Sequence, residues 1–117
     1  MIKEMKSIFL AFLLGCMLAL SCDSINEQSI TLSADEQFSY DLNVCGDEEG
    51  AKIIEQAKHY SQSEIIRDST TNWCAYYFYT SETGYRGIDQ VTIETCTGGK
   101  GVRCDKIQKI EFKFHID

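Results

Sequence analysis

From Lys106 to Ile116 the chain alternates without a break. Gln108, Ile110, Phe112, Phe114 and Ile116 fall on one side, and Lys109, Glu111, Lys113 and His115 on the other. Successive side chains of an extended strand point to opposite faces, so this segment reads as a strand with one buried and one wet face. Other segments repeat the pattern. Phe38, Tyr40 and Leu42 alternate with Gln37, Ser39 and Asp41; Ile30 and Leu32 mark a short strand before them; and Ile88 to Cys96 alternates with Val91 and Ile93 as its apolar face. Trp73 to Thr80 is aromatic almost throughout and reads as a central strand. Ser63 to Asp68 is a short strand or strand edge, and Ser69-Thr70-Thr71-Asn72 is a turn.

One segment pulls the other way. Ile53, Ile54, Ala57 and Tyr60 fall at helical spacing behind Asp47, Glu48 and Glu49, which suit a helix N-terminus. Local pattern alone therefore predicts a helix over about 48–60 and an α+β alternative to the all-β reading.

The N-terminus is a targeting segment. Lys3 and Lys6 precede an uncharged apolar run from Ile8 to Leu20, shorter than the about 20 residues a bilayer span needs. It ends in Ala19-Leu20-Ser21-Cys22, which resembles the bacterial lipoprotein box. A small Ser21 admits the peptidase, and the Cys22 thiol accepts the diacylglyceryl group. Leu13-Leu14-Gly15-Cys16 also fits the box, but it leaves a shorter apolar core and an apolar mature start. The expected layout is a signal peptide at 1–21, a polar tether at 22–29 and one domain at 30–117, held at the bacterial envelope by acyl chains and facing the periplasm or the surface.

Export implies an oxidising compartment, in which Cys45, Cys74, Cys96 and Cys104 are available to pair. Four cysteines allow three connectivities, and none of the short C-x-x-C spacings of a zinc site is present. Cys96 and Cys104 flank a glycine-rich turn between two strand-like runs, where antiparallel neighbours come within disulfide range. That leaves Cys45 with Cys74. In the chain-entropy account the two closures contribute about 2.6 and about 3.6 kcal/mol.

The chain carries 11 Lys+Arg against 18 Asp+Glu. Phosphate neutralisation needs clustered cations, so nucleic acid is excluded as a partner. Residues 22–66 hold 2 basic and 10 acidic groups, a bias that would steer a basic partner.

Tyr79-Thr80-Ser81-Glu82-Thr83-Gly84-Tyr85-Arg86-Gly87-Ile88-Asp89-Gln90-Val91-Thr92-Ile93 resembles the bacterial Ig-like, cadherin-like domains of cell-surface proteins. Their signature is a strand ending Tyr-Thr-Pro, a spacer, then Tyr-x-Gly-x-Asp-x-apolar-x-apolar, filled here by Tyr85, Gly87, Asp89, Val91 and Ile93. Some of these domains carry two cysteines around the last hairpin, as Cys96 and Cys104 do. Ile54 to Tyr60 looks like their extended Gln-Pro-x-His-Gly segment. Ser81 stands where Pro is usual, and Tyr60 where Gly is usual. The resemblance implies an Ig-like antiparallel β-sandwich of about seven strands over residues 28–117, with residues 51–58 extended and His59 structural. Gly84 and Gly87 would permit a tight corner whose amides Asp89 bonds.

Function is the least constrained part. Asp41, Asn43, Asp47, Glu48 and Glu49 crowd one stretch and are hard oxygen donors for calcium, although their spacing is not that of an EF-hand. His59 and His115 belong to no Ser-His-Asp or G-x-S-x-G pattern, and His115 falls on the polar face of the last strand. Glu48 with Glu49, or Glu55 with Glu64, would serve as glycosidase acids, but no sugar-stacking aromatic adjoins them in sequence. No cofactor motif is present. Trp73, Tyr76, Tyr77 and Tyr85 are the best interface anchors. The expected function is a non-catalytic binding module for an envelope protein or glycan, ahead of a small hydrolase or enzyme accessory and of a purely structural role.

Overall fold

The computed structural model describes residues 25–98 and 104–117. The lipoprotein box, and Gly99 and Gly101 of the last hairpin turn, lie outside them. Seven strands follow one another: β1 (Asn26–Leu32), β2 (Phe38–Asp41), β3 (Gly50–Glu55), β4 (Tyr60–Ile66), β5 (Tyr76–Ser81), β6 (Gly87–Thr97) and β7 (Lys106–Ile116). They form a four-stranded sheet of order β1-β7-β6-β3 and a three-stranded sheet of order β2-β5-β4. Every pairing is antiparallel except β1 with β7, which runs parallel from Asn26↔Ile110 to Leu32↔Ile116. This is an all-β sandwich whose strand order is consistent with an Ig-like domain, with the first strand paired to the last rather than to the second.

The alternation of β7 acts as the sequence predicts. Ile110, Phe112, Phe114 and Ile116 are buried, and Tyr77 and Tyr79 of β5 meet them from the other sheet. The Tyr79 and Phe114 rings stack at 4.0 Å, and those of Tyr77 and Phe112 at 5.8 Å. Leu32, Leu42, Val44, Val91 and Ile93 complete the layer. Each such side chain contributes roughly 1.5–3 kcal/mol on leaving water.

The segment with helical spacing is extended, and a β-bulge reconciles the two patterns. Ile53 pairs with Ile93 and packs against the core, and the register then slips before Glu55. Ile54 is the extra residue and turns to solvent. Two adjacent isoleucines therefore mark a bulge, not a helix face. The strand β1 begins at Asn26, inside the stretch read as a tether. Asn26 to Ser29 are already paired with β7. Trp73, expected to open the central strand, lies before it, because Asn72 and Trp73 both take left-handed backbone (φ 54° and 62°). His115 is half-buried rather than exposed, opposite Ile88.

Candidate functional site

One end of the sandwich is braced by side chains that bond to backbone. The Arg67 guanidinium, at the end of β4, donates to the carbonyls of Trp73 (2.7 Å), Glu49 (2.8 Å) and Gly46 (2.7 Å). The Cys45–Cys74 disulfide joins the same two loops. Asp68 caps the 3₁₀ turn Ser69–Thr71, accepting from the Thr70 amide at 2.8 Å and from the Thr70 hydroxyl. Those bonds, the hydroxyl first, hold its carboxyl below the usual range. Glu49 reaches further. One carboxylate oxygen accepts from the amides of Gly46 (2.9 Å) and Cys45 (3.2 Å), and the other from Gly98 (3.0 Å) beyond β6. The Gly98 amide first, then the Gly46 and Cys45 amides and the Arg67 charge, hold Glu49 below its ordinary pKa.

This bracing carries Trp73. Left-handed backbone costs a bulky residue about 1–2 kcal/mol. It persists here because the Trp73 amide donates to the Asp68 carbonyl at 2.8 Å while the Trp73 carbonyl is held by Arg67. The indole is nonetheless 62% exposed. A large apolar ring on a rigid, strained mount is an arrangement suited to contact with something outside the domain.

A second aromatic surface lies on the three-stranded sheet. Tyr76 and Phe78 are half-buried on the face turned away from the core, their rings stacked at 6.3 Å. The register places Asp41 and Ile66 beside Tyr76, and Ser39 and Glu64 beside Phe78. The Tyr76 hydroxyl donates to Asp41 at 3.3 Å.

The four aromatic residues singled out in sequence do not form one site. Trp73 and Tyr76 flank the start of β5. Tyr77 is fully buried, its hydroxyl 2.7 Å from that of Ser63, and offers no surface. Burial pushes its pKa up, against the Ser63 bond. Tyr85 is at the opposite end, stacked on His59 at 4.1 Å with its hydroxyl donating to the Ile88 carbonyl at 2.7 Å. That contact explains Gly87: a Cβ there would come within 3.0 Å of the Tyr85 oxygen, at a φ of 136°. Arg67 and Asp68 were missed in sequence, since both bond backbone groups and leave no side-chain pattern to read. Period two already sets Phe78 on the Tyr76 face of the aromatic run, apart from Tyr77 and Tyr79, as the burial pattern has it.

The acidic stretch does not converge. Asp41 caps the Asn43 amide at 2.9 Å and Glu49 is engaged with three amides. Among the described residues no three His, Cys, Asp or Glu side chains come together in a way that would hold a metal ion, so the calcium reading of Asp41, Asn43, Asp47, Glu48 and Glu49 gains no geometry. Asp89 is 4% exposed and accepts from the amides of Lys58 (2.9 Å), His59 (2.9 Å) and Gln90 (3.0 Å). It therefore pins the β3–β4 connection rather than the amides of the Gly84–Gly87 corner. His59 lies 3.8 Å from Glu82. Both disulfides pair as the sequence reading expects, Cys45–Cys74 and Cys96–Cys104.

Compared with models of known protein families and with curated proteins, the chain matches none.

Proposed function

We propose that this is a lipid-anchored protein of the bacterial cell envelope whose sandwich, of the Ig-like, cadherin-like type of surface proteins, is a non-catalytic binding module. The anchor rests on the box at Ala19 to Cys22. The binding role is carried by one observation: Tyr76 and Phe78 stack on an outward sheet face with the exposed carboxylates of Asp41 and Glu64 beside them. Aromatic faces flanked by carboxylates attract Lys and Arg side chains by both charge and cation–π contact. The partner is accordingly a basic segment of another envelope protein.

Crosslinking capture from native envelope tests this with two double variants. Tyr76→Ala with Phe78→Ala weakens capture by about 1–3 kcal/mol for each anchor residue removed. His59→Ala with His115→Ala leaves it intact. Association also slows as salt rises past about 0.15 M, where the Debye length is about 8 Å. Capture that survives loss of both rings but fails without the histidines overturns the module and shifts the weight to an enzyme. Cys22→Ser abolishes lipid labelling; labelling that persists there and vanishes with Cys16→Ser relocates the anchor.

A further inference from the structure

We infer that the Trp73 end of the sandwich docks on the lipid surface that anchors the chain, with Trp73, Ile25 and Ile107 seated at the headgroup level of uncharged lipids. The inference rests on the proposed acylation of Cys22.

The topology puts the three side chains at one end. Because β1 runs parallel to β7, its start at Asn26 pairs with Ile110, on the side where β7 begins. Ile107 pairs with Cys96 there, and Gly50, the start of β3, also faces Cys96. Glu49 and Arg67 tie that corner to the Trp73 loop. Asn26, Asn43, Glu49, Thr97 and Gln108 line one cleft of about 280 Å³ at this end. Trp73 is 62%, Ile107 61% and Ile25 41% exposed.

Chain length then selects the occupant. From Cys22 to Ile25 is three residue steps, which span at most about 11 Å when fully extended. Acyl chains on Cys22 therefore hold Ile25, and with it this end of a rigid domain, within about that distance of the bilayer. Indole is a preferred side chain at the membrane–water boundary. The same end carries Asp47, Glu48 and the exposed Asp105 with Lys106 beside it, an excess of acid among the described residues that offers anionic headgroups no cationic patch; the favoured surface is thus zwitterionic. Docked this way, the Tyr76–Phe78 face stands roughly upright from the membrane, open to a partner.

Trp73 is the only tryptophan in the chain, so its emission reports this site alone. The lipidated protein, its acyl mass confirmed, is reconstituted in phosphatidylcholine vesicles with and without bromine on the acyl chains. Trp73 emission should shift to the blue and fall by roughly half in the brominated vesicles, as for an indole at headgroup depth. Ile25→Ser with Ile107→Ser should restore emission, and phosphatidylglycerol should weaken the quenching. Lipid present on Cys22 with Trp73 unquenched and open to aqueous iodide overturns this inference alone. Trp73 shielded from iodide yet unquenched by bromine overturns it in favour of a second protein surface. Absence of lipid on Cys22 overturns the anchoring reading, and this inference with it.

Discussion

The Tyr79 hydroxyl donates to the Asp89 carboxylate at 2.8 Å, between two sheets and out of reach of water. The bond joins the middle of β5 to the start of β6 and, through the Lys58 and His59 amides, to the connection that precedes β4. Asp89→Ala leaves those two amides without this acceptor and the Tyr79 hydroxyl with only the His59 carbonyl, 3.2 Å away, and should cost about 3 kcal/mol or more. Tyr79→Phe removes one donor to a charged acceptor and should cost about 1.5–3 kcal/mol. Urea unfolding of the single and double variants measures both, and the double variant should fall short of the sum.

The same pair sets the alkaline limit. Burial first, and then the bond to Asp89, push the Tyr79 pKa well above that of a free phenol; burial does the same for Tyr77. Each raised pKa means that stability is full below about pH 10, the unfolded value, and declines as pH rises beyond it. Of the six tyrosines, these two should ionise only as the fold is lost, which absorbance near 295 nm followed beside circular dichroism would show.

At acid pH Glu49 responds, as does Asp68. The folded pKa of Glu49 is depressed by the Gly98, Gly46 and Cys45 amides and by Arg67. Its contribution is therefore complete above the unfolded carboxylate pKa of about 4.3 and disappears as pH falls through the lower folded value. Glu49→Gln should lower Tm at neutral pH, and the gap from wild type should close as pH falls through the depressed folded pKa. A gap independent of pH would exclude the charge as its source.

Replacing Cys45 and Cys74 by Ser opens a closure of sequence separation 29, for which chain entropy gives about 3.6 kcal/mol. It should also free the Trp73 loop, so the anisotropy of Trp73 should drop. The Cys96 and Cys104 double variant, with separation 8, should cost less, about 2.6 kcal/mol, and leave that anisotropy unchanged.

Ser81 presents the opposite case. Its hydroxyl is buried without a hydrogen-bond partner among the described residues. Ser81→Ala removes a desolvated polar group and should stabilise by up to about 1 kcal/mol in thermal unfolding.

Period-two patterns carried β1, β2, β6 and β7, because one face of each is wet and the alternation survives in composition. At Tyr76 to Tyr79 the pattern separates two faces but does not rank them, because all four residues are aromatic and only the opposing sheet decides that Tyr77 and Tyr79 go inward. It failed at Ile53–Ile54, since a bulge shifts the parity within one strand. Trp73 was legible as an anchor type but not as an exposed one; its left-handed backbone is imposed by Arg67, Asp68 and Cys74 acting from the flanking chain. The Cys96–Cys104 closure was legible from the intervening turn, and Cys45–Cys74 followed by elimination. The Tyr85–Gly87–Asp89 spacing marked a corner correctly, while the Lys58 and His59 amides that Asp89 accepts from, 31 and 30 residues upstream, left no trace in the local motif.

The parallel pairing of β1 with β7 has a mechanical consequence. A tether drawn from Asn26 and resisted by the far end of β7 loads the β1–β7 hydrogen bonds along the strands, from Asn26↔Ile110 to Leu32↔Ile116. Bonds loaded in shear share the force and must rupture nearly together, whereas an antiparallel hairpin pulled from its open end unzips one bond at a time.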